Sequence, residues 1–214
     1  MNQLSQLSKL DSASFFTKET LQQVINVSDN SLYSNIKRWL KKGTLVQLKK
    51  GLYVTNRYIQ SLSDKQNYTE YIANILKYPS YLSGEYVLQK YSMLTESVFT
   101  LTSVSLKKTG NYQNALGTYT YSNIKNNLFT GFKIYSKGEY GIKEATKAKA
   151  LFDFLYFRLW QIPAISTEYL ASLRINFEEM QKNDFIEFES YVTVSRLKKF
   201  NNLTGILKKL TYDR

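Results

Sequence analysis

The sequence predicts an α+β fold: a small helical N-terminal domain carrying a β-hairpin, then a mixed α/β domain with a small, mostly antiparallel sheet and C-terminal helices. Three observations predict it. Two short amphipathic helical patterns run from Thr17 to Lys42 with a tight turn between them. A lysine-rich hairpin pattern follows them at once. Beyond residue 66, runs of β-type residues are bracketed by helical patterns, which is the order expected of an α+β domain.

Thr17 can cap a helix through Leu21, Val24 and Ile25, whose spacing keeps the apolar groups on one face. Asn26 and Val27 leave room only for a tight turn. Ser28 is a second capping candidate, and Asp29 behind it suits the positive end of the helix dipole. Leu32, Ile36 and Leu40 recur at every fourth position with Trp39 beside them, so one face of the second helix belongs to a core. The other face carries Asn30, Ser31, Ser34, Asn35, Lys37, Arg38 and Lys41. Gly43 stands where a left-handed C-cap is usual.

After Gly43 the apolar period shortens towards two. Leu45 to Leu48 and Leu52 to Val54 read as two strands joined by Lys49, Lys50 and Gly51, the glycine supplying the positive φ of a tight turn. Helix, turn, helix and basic hairpin in this order outline a winged helix-turn-helix, and double-stranded DNA is the expected partner. Asn30, Ser31, Ser34, Asn35 and Arg38 are the candidates for base contacts in the major groove. Lys37, Lys41, Lys49 and Lys50 are the candidates for phosphate contacts. The alternative for the same pattern is a protein-binding scaffold with a solvated lysine turn.

Charge agrees with a polyanionic partner. The chain of 214 residues has a formal net charge of +12 and a pI near 9.6. Residues 1–60 hold nine basic residues against three acidic ones, so half the net charge lies in little more than a quarter of the chain. A second basic group, Arg196, Lys198, Lys199, Lys208 and Lys209, reads first as a solvated helix face. The sequence has no cysteine, which excludes disulfides and thiolate metal sites and fits a reducing cytoplasm. Neither a signal-peptide pattern nor an apolar run of membrane-spanning length is present, so no membrane association is expected, and neither a metal nor a cofactor is implied.

Periodicity is weakest from Arg57 to Gln66, and the expected domains are therefore 1–60 and 66–214. In the second, Tyr68 to Leu76 reads as a helix ended by Pro79, and Ser83 can cap a further helix holding Tyr86, Val87, Leu88 and Tyr91. Strands are expected around Val98 to Leu106, Gly117 to Tyr121 and Phe132 to Tyr135, with glycine turns between them. From Lys143 the chain is expected to return to helix, with Ala148, Leu151, Phe152, Leu155 and Leu159 as an apolar face and two or three more helices after it.

Catalysis is not expected. Without His or Cys the commonest general base and the best thiol nucleophile are missing. Glu178, Glu179, Asp184, Glu187 and Glu189 alternate with Phe185, Ile186 and Phe188 as the wet side of an amphipathic helix does. Asp153, four residues after Lys149, reads as a helix ion pair or a buried acceptor. A further alternative uses Tyr112, Tyr119 and Tyr121 beside Lys107 and Lys108 as a stacking platform for single-stranded nucleic acid.

The chain resembles the AbiEi-type abortive-infection antitoxins. The likeness begins in Leu48-Lys49-Lys50-Gly51-Leu52-Tyr53-Val54, continues in Tyr78-Pro79-Ser80-Tyr81-Leu82-Ser83, and goes on through Thr102-Ser103-Val104 with Lys107-Lys108-Thr109. Gly117-Thr118-Tyr119-Thr120-Tyr121 with Ile124 is similar to the family's central strand, and Lys149-Ala150-Leu151-Phe152-Asp153-Phe154-Leu155 to its Lys-Ala-Leu-x-Asp helix. These stretches cover most of residues 15–160; the chain departs from the pattern at Ala145-Thr146-Lys147-Ala148 and in having no histidine. The resemblance implies a repressor that binds the promoter of its own operon and counters a nucleotidyltransferase-like toxin through its second domain.

Overall fold

A computed structural model describes residues 3–159, 165–200 and 203–212, so the outermost residues of both expected domains lie outside the described residues. The chain divides into two compact units, Met1–Thr69 with Tyr112–Leu116, and Glu70–Asn111 with Gly117–Arg214. The fold is mixed α/β, with one small antiparallel sheet and one mixed sheet. Among the described residues, no helix is long and apolar enough to cross a membrane.

In the first unit, α1 (Gln3–Leu7) and a 3-10 turn lead to β1 (Phe16–Thr17), α2 (Lys18–Ile25), α3 (Asp29–Lys41), β2 (Leu45–Lys49), β3 (Leu52–Thr55) and α4 (Asn56–Ser61). Thr17 caps α2 as expected, its hydroxyl accepting from the Thr20 amide at 3.2 Å. Asn26 ends α2 in the left-handed conformation at φ 52°, one of the few roles in which asparagine rivals glycine. Ser28 holds the cap position of α3, yet its hydroxyl donates to Ser31 rather than accepting from the helix. At the other end, Gly43 at φ +67° sends its amide to the Leu40 carbonyl, and the Thr44 amide reaches the Trp39 carbonyl at 3.0 Å. That pair of bonds is a Schellman closure, and it turns the chain from α3 straight into β2.

The strand order in this unit is β1-β3-β2, both pairings antiparallel. A bulge between Gln47 and Lys49 shifts the register, and Gly51 at φ +79° completes the turn. Leu21, Ile25, Leu32, Ile36, Trp39, Leu45 and Tyr53 meet in one core with Leu7, Leu10 and Phe16. Burying each large aliphatic side chain contributes roughly 1.5–3 kcal/mol, which holds so short a pair of helices against the hairpin. The stretch read as a boundary is itself structured: Asn56–Ser61 is helical, capped by Thr55, and α5 (Lys65–Leu76) contains the division at Thr69 and Glu70.

The second unit holds β4 (Ser80–Leu82), α6 (Glu85–Lys90), β5 (Thr100–Ser105), β7 (Gly117–Asn123), β8 (Phe132–Lys137), β9 (Tyr140–Ala145) and α7 (Lys147–Leu159), and the start of β6 (Gly110–Asn114), whose last three residues belong to the first unit. After these come α8 (Thr167–Ser172), α9 (Lys182–Ser195) and α10 (Leu203–Tyr212). The sheet order is β6-β7-β5-β4-β9-β8. It is mixed where a mostly antiparallel sheet was expected, because β5 runs parallel to β7 and β4 parallel to β9. Side-chain alternation is the same in both kinds of ladder, so the pattern carries no direction. Three strands escape the pattern altogether: β4 has three residues, β6 begins at Gly110 where the glycine reads as a turn, and β9 extends to Ala145 where helix was expected from Lys143.

Helices cover both faces of this sheet. On one, Tyr121 donates its hydroxyl to the Ala73 carbonyl of α5 at 2.6 Å; on the other, Tyr81 donates to Asp153 of α7 at 3.0 Å. α7 is buried nearly all round, as a helix between a sheet and other helices must be. Its Phe152 meets Phe188 and Tyr191 of α9 at ring distances of 6.1 and 5.6 Å. Gly131, at φ +76°, leaves room for Tyr191 where any Cβ would collide with that phenol. Tyr119 and Tyr121 are 0% and 1% exposed, which removes the alternative of a stacking platform there: they are core residues.

Candidate nucleic-acid interface

One turn of α3 after another presents the same line of polar groups. Asn30, Ser34, Lys37 and Lys41 are spaced by four, three and four residues, and all four are exposed. Their helical neighbours Leu32, Ile36 and Trp39 are at most 5% exposed, so the helix cannot roll to hide this line without exposing its core. Ser31 and Arg38 are exposed on one flank of the line, and Tyr33, at 57% exposure, stands on the other.

Asn35 departs from expectation. It is only 6% exposed and offers no amide to solvent. Its Oδ1 accepts from Arg38 Nη2 at 2.7 Å, and the same Nη2 donates to Gln3 Oε1 of α1 at 3.2 Å. Asn35 therefore leaves the group of direct base-contact candidates and becomes the neighbour that holds one of them. Its polarity concealed its position: residue 35 precedes Ile36 on the core side of the helix, and periodicity scores only apolar residues as inward.

The hairpin brings Lys50 to an exposed position at its tip, while Lys49, opposite Leu52 beyond the bulge, is half-buried. The Lys18 amide donates to the Gly51 carbonyl at 3.0 Å, so the start of α2 and the tip of the hairpin are adjacent. The Lys18 ammonium lies 4.2 Å from the Tyr33 ring centroid and 3.2 Å from Asp29. The adjoining Tyr33 holds it above the ordinary lysine range, with slight burial opposing and Asp29 assisting. Sequence reasoning passed over both Lys18 and Tyr33; the available signal was that Tyr33 lies three residues from Asn30 and four from Lys37, at the margin of the polar line. Arg57, counted among the basic residues of the N-terminal region, is paired with Asp11 at 3.1 Å.

Chemically, such a surface offers amide, hydroxyl, phenol and cationic donors on one rigid helix, with a further ammonium at a hairpin tip. Those groups match base-edge and phosphate acceptors.

In the second unit Asp153, Asp184, Glu187 and Glu189, among the acidic residues considered from the sequence, have structural partners. Asp153 accepts from Lys149 at 2.6 Å, from Ser83 at 2.7 Å and from Tyr81. The Ser83 hydroxyl is thus committed to Asp153, and Gly84, at φ 63°, takes the cap position of α6 expected for Ser83. A cavity of about 210 Å³ lies beside this cluster, lined by Thr102, Thr120, Ser122, Phe157 and Arg158 among others. Asp153 itself lines this cavity, and both its oxygens accept hydrogen bonds from Lys149, Ser83 and Tyr81. Asp184 closes a capping box at the start of α9 and pairs with Lys147, Glu187 accepts from Thr146 and Tyr191 at 2.6 Å each, and Glu189 meets Lys208 at 2.9 Å.

Compared with known proteins, the chain matches no family model and no curated protein.

Proposed function

We propose that the chain is a DNA-binding regulator whose first unit is a winged helix-turn-helix, with α3 as the recognition helix and the β2–β3 hairpin as the wing. The observation that carries this reading is the exposed line Asn30, Ser34, Lys37 and Lys41 on a helix whose opposite side is locked into a core, followed directly by a lysine-tipped hairpin. Ser31 and Arg38 read bases from its flank; Lys37, Lys41, Lys49 and Lys50 meet phosphates. The resemblance to AbiEi-type antitoxins supports the wider role: an antitoxin and autorepressor of a toxin-antitoxin operon, acting on a nucleotidyltransferase-like toxin through its second unit and carrying no catalytic activity of its own.

The test is a salt-series titration of the purified protein against the promoter duplex of its own gene, with a scrambled duplex of equal length beside it. About four phosphate contacts give a slope of log affinity on log salt near −3.6, and specific binding is ~1,000-fold tighter than the control. Equal binding to both duplexes refutes the repressor and favours the same unit as a protein-binding scaffold.

A further inference from the structure

Arg38 is exposed, and a free arginine there samples many rotamers, each of which must be given up on binding. Here it is not free. Nη2 carries two hydrogens, and two amide oxygens receive them: Asn35 Oδ1 at 2.7 Å from within α3, and Gln3 Oε1 at 3.2 Å from α1. The two acceptors differ in kind. Asn35 is 6% exposed and its Nδ2 has no hydrogen-bond partner, so the amide is immobilised by burial and serves no visible purpose except through its oxygen. The Gln3 contact is solvent-exposed, longer, and borne on a helix of five residues.

With both Nη2 hydrogens taken, neither forked edge of the guanidinium is available, since each edge uses Nη2 together with Nη1 or Nε. Bidentate capture of guanine O6 and N7 needs one of those edges. We infer that Asn35 is the positioning residue for Arg38, and that Gln3 is a placeholder which a base-edge acceptor displaces, opening the fork while Asn35 keeps the guanidinium aimed. This rests on reading α3 as the recognition helix. It assigns the specificity of one base pair, a guanine, to Asn35 and Arg38 together, and gives α1 a part in the free state alone.

The two amides then predict opposite results. Full-length wild type, Asn35→Ala, Asn35→Asp, Gln3→Ala and Arg38→Ala are titrated against the promoter duplex, its single-base-pair variants and the scrambled duplex. Arg38→Ala is expected to erase discrimination at one G·C pair, about 10-fold or more. Asn35→Ala loses discrimination at the same pair, with scrambled-duplex affinity and salt slope unchanged, and adds nothing in combination with Arg38→Ala. Asn35→Asp, which keeps the acceptor oxygen, retains the preference and serves as the decisive variant if the alanine form fails to fold. Gln3→Ala keeps the preference and binds the promoter at least as tightly as wild type. If wild type discriminates and Asn35→Ala matches it, or Gln3→Ala loses the preference as Asn35→Ala does, the inference is overturned and the recognition helix stands. A wild type with no preference for the promoter overturns the recognition helix itself, and the inference with it.

Discussion

Lys149 and Asp153 face one another across a single turn of α7 at 2.6 Å, with side-chain exposures of 0% and 1%. Burial pushes the Lys149 ammonium down and the Asp153 carboxyl up; their mutual attraction, with the Ser83 and Tyr81 hydroxyls on the carboxylate, opposes that desolvation. Removing one partner strands the other. Asp153→Ala is expected to lower the unfolding free energy by about 3–5 kcal/mol, and the double replacement Lys149→Met with Asp153→Leu by less. Urea denaturation of both variants checks this; a larger loss for the double variant would show that the pair itself holds the core.

A second charged cluster is expected to contribute to the acid limb of stability. Buried Glu70 accepts from Tyr86 at 2.8 Å, Lys137 at 2.8 Å and Lys90 at 3.1 Å, and Lys90 also pairs with Glu144. Burial by itself raises the Glu70 carboxyl, but Lys137, Lys90 and Tyr86 outweigh it and hold the group below its ordinary 4.5. A carboxyl depressed in the folded state stabilises fully above its unfolded value, and that contribution disappears as pH falls through the folded one. Stability is therefore expected to drop from about pH 4.5 downwards. Glu70→Gln lowers stability at neutral pH and flattens this limb, which thermal melts between pH 3 and 7 measure; an unchanged limb places the sensitivity elsewhere.

Two glycines separate backbone strain from collision. Gly51 and Gly131 have φ of +79° and +76°, yet a Cβ on Gly51 meets nothing within 4 Å while one on Gly131 overlaps the Tyr191 phenol and touches Lys149. Gly51→Ala is expected to cost about 1–2 kcal/mol, the left-handed penalty alone. Gly131→Ala adds overpacking of about 1–3 kcal/mol to the same penalty. Equal midpoint shifts in urea would mean that α9 moves aside without cost.

On DNA, Lys37→Ala, Lys41→Ala and Lys50→Ala are each expected to flatten the salt slope by nearly one unit and to weaken promoter and scrambled duplexes alike. Lys49, half-buried beyond the bulge, is expected to give the smallest change of the four. A lysine variant that loses promoter preference while keeping its slope would instead be a base reader.

Local signals were legible at most caps, turns and helical periods, although the cap of α6 falls to Gly84 rather than Ser83. Thr17, Gly43 and Gly51 each occupy the position their chemistry suggested, and Leu32, Ile36 and Trp39 mark the inward side of α3. What stayed hidden depends on partners distant in the chain. Asn35 is polar and buried because Arg38 and Gln3 meet its oxygen, which no pattern of hydrophobicity expresses. Tyr119 and Tyr121 alternate with Thr118 and Thr120 as a half-wet strand would, but α5 covers their face. Strand direction was equally silent, since β5 and β7 keep the same alternation whichever way they run.

The order in which the ribosome releases this chain bears differently on its two sheets. The three strands of the first are complete by Thr55, so that sheet has all its ladders as soon as those residues clear the exit tunnel. In the second, β4 gains its β5 partner early but waits for its β9 neighbour until Glu144, which pairs with Leu82. Until then one side of a central strand has its hydrogen-bonding groups open, for a delay of several seconds at ordinary rates of synthesis of about 5–20 residues per second. During that interval the nascent chain presents a sheet edge to whatever lies nearby, and synthesis rate and chaperone supply become determinants of its yield.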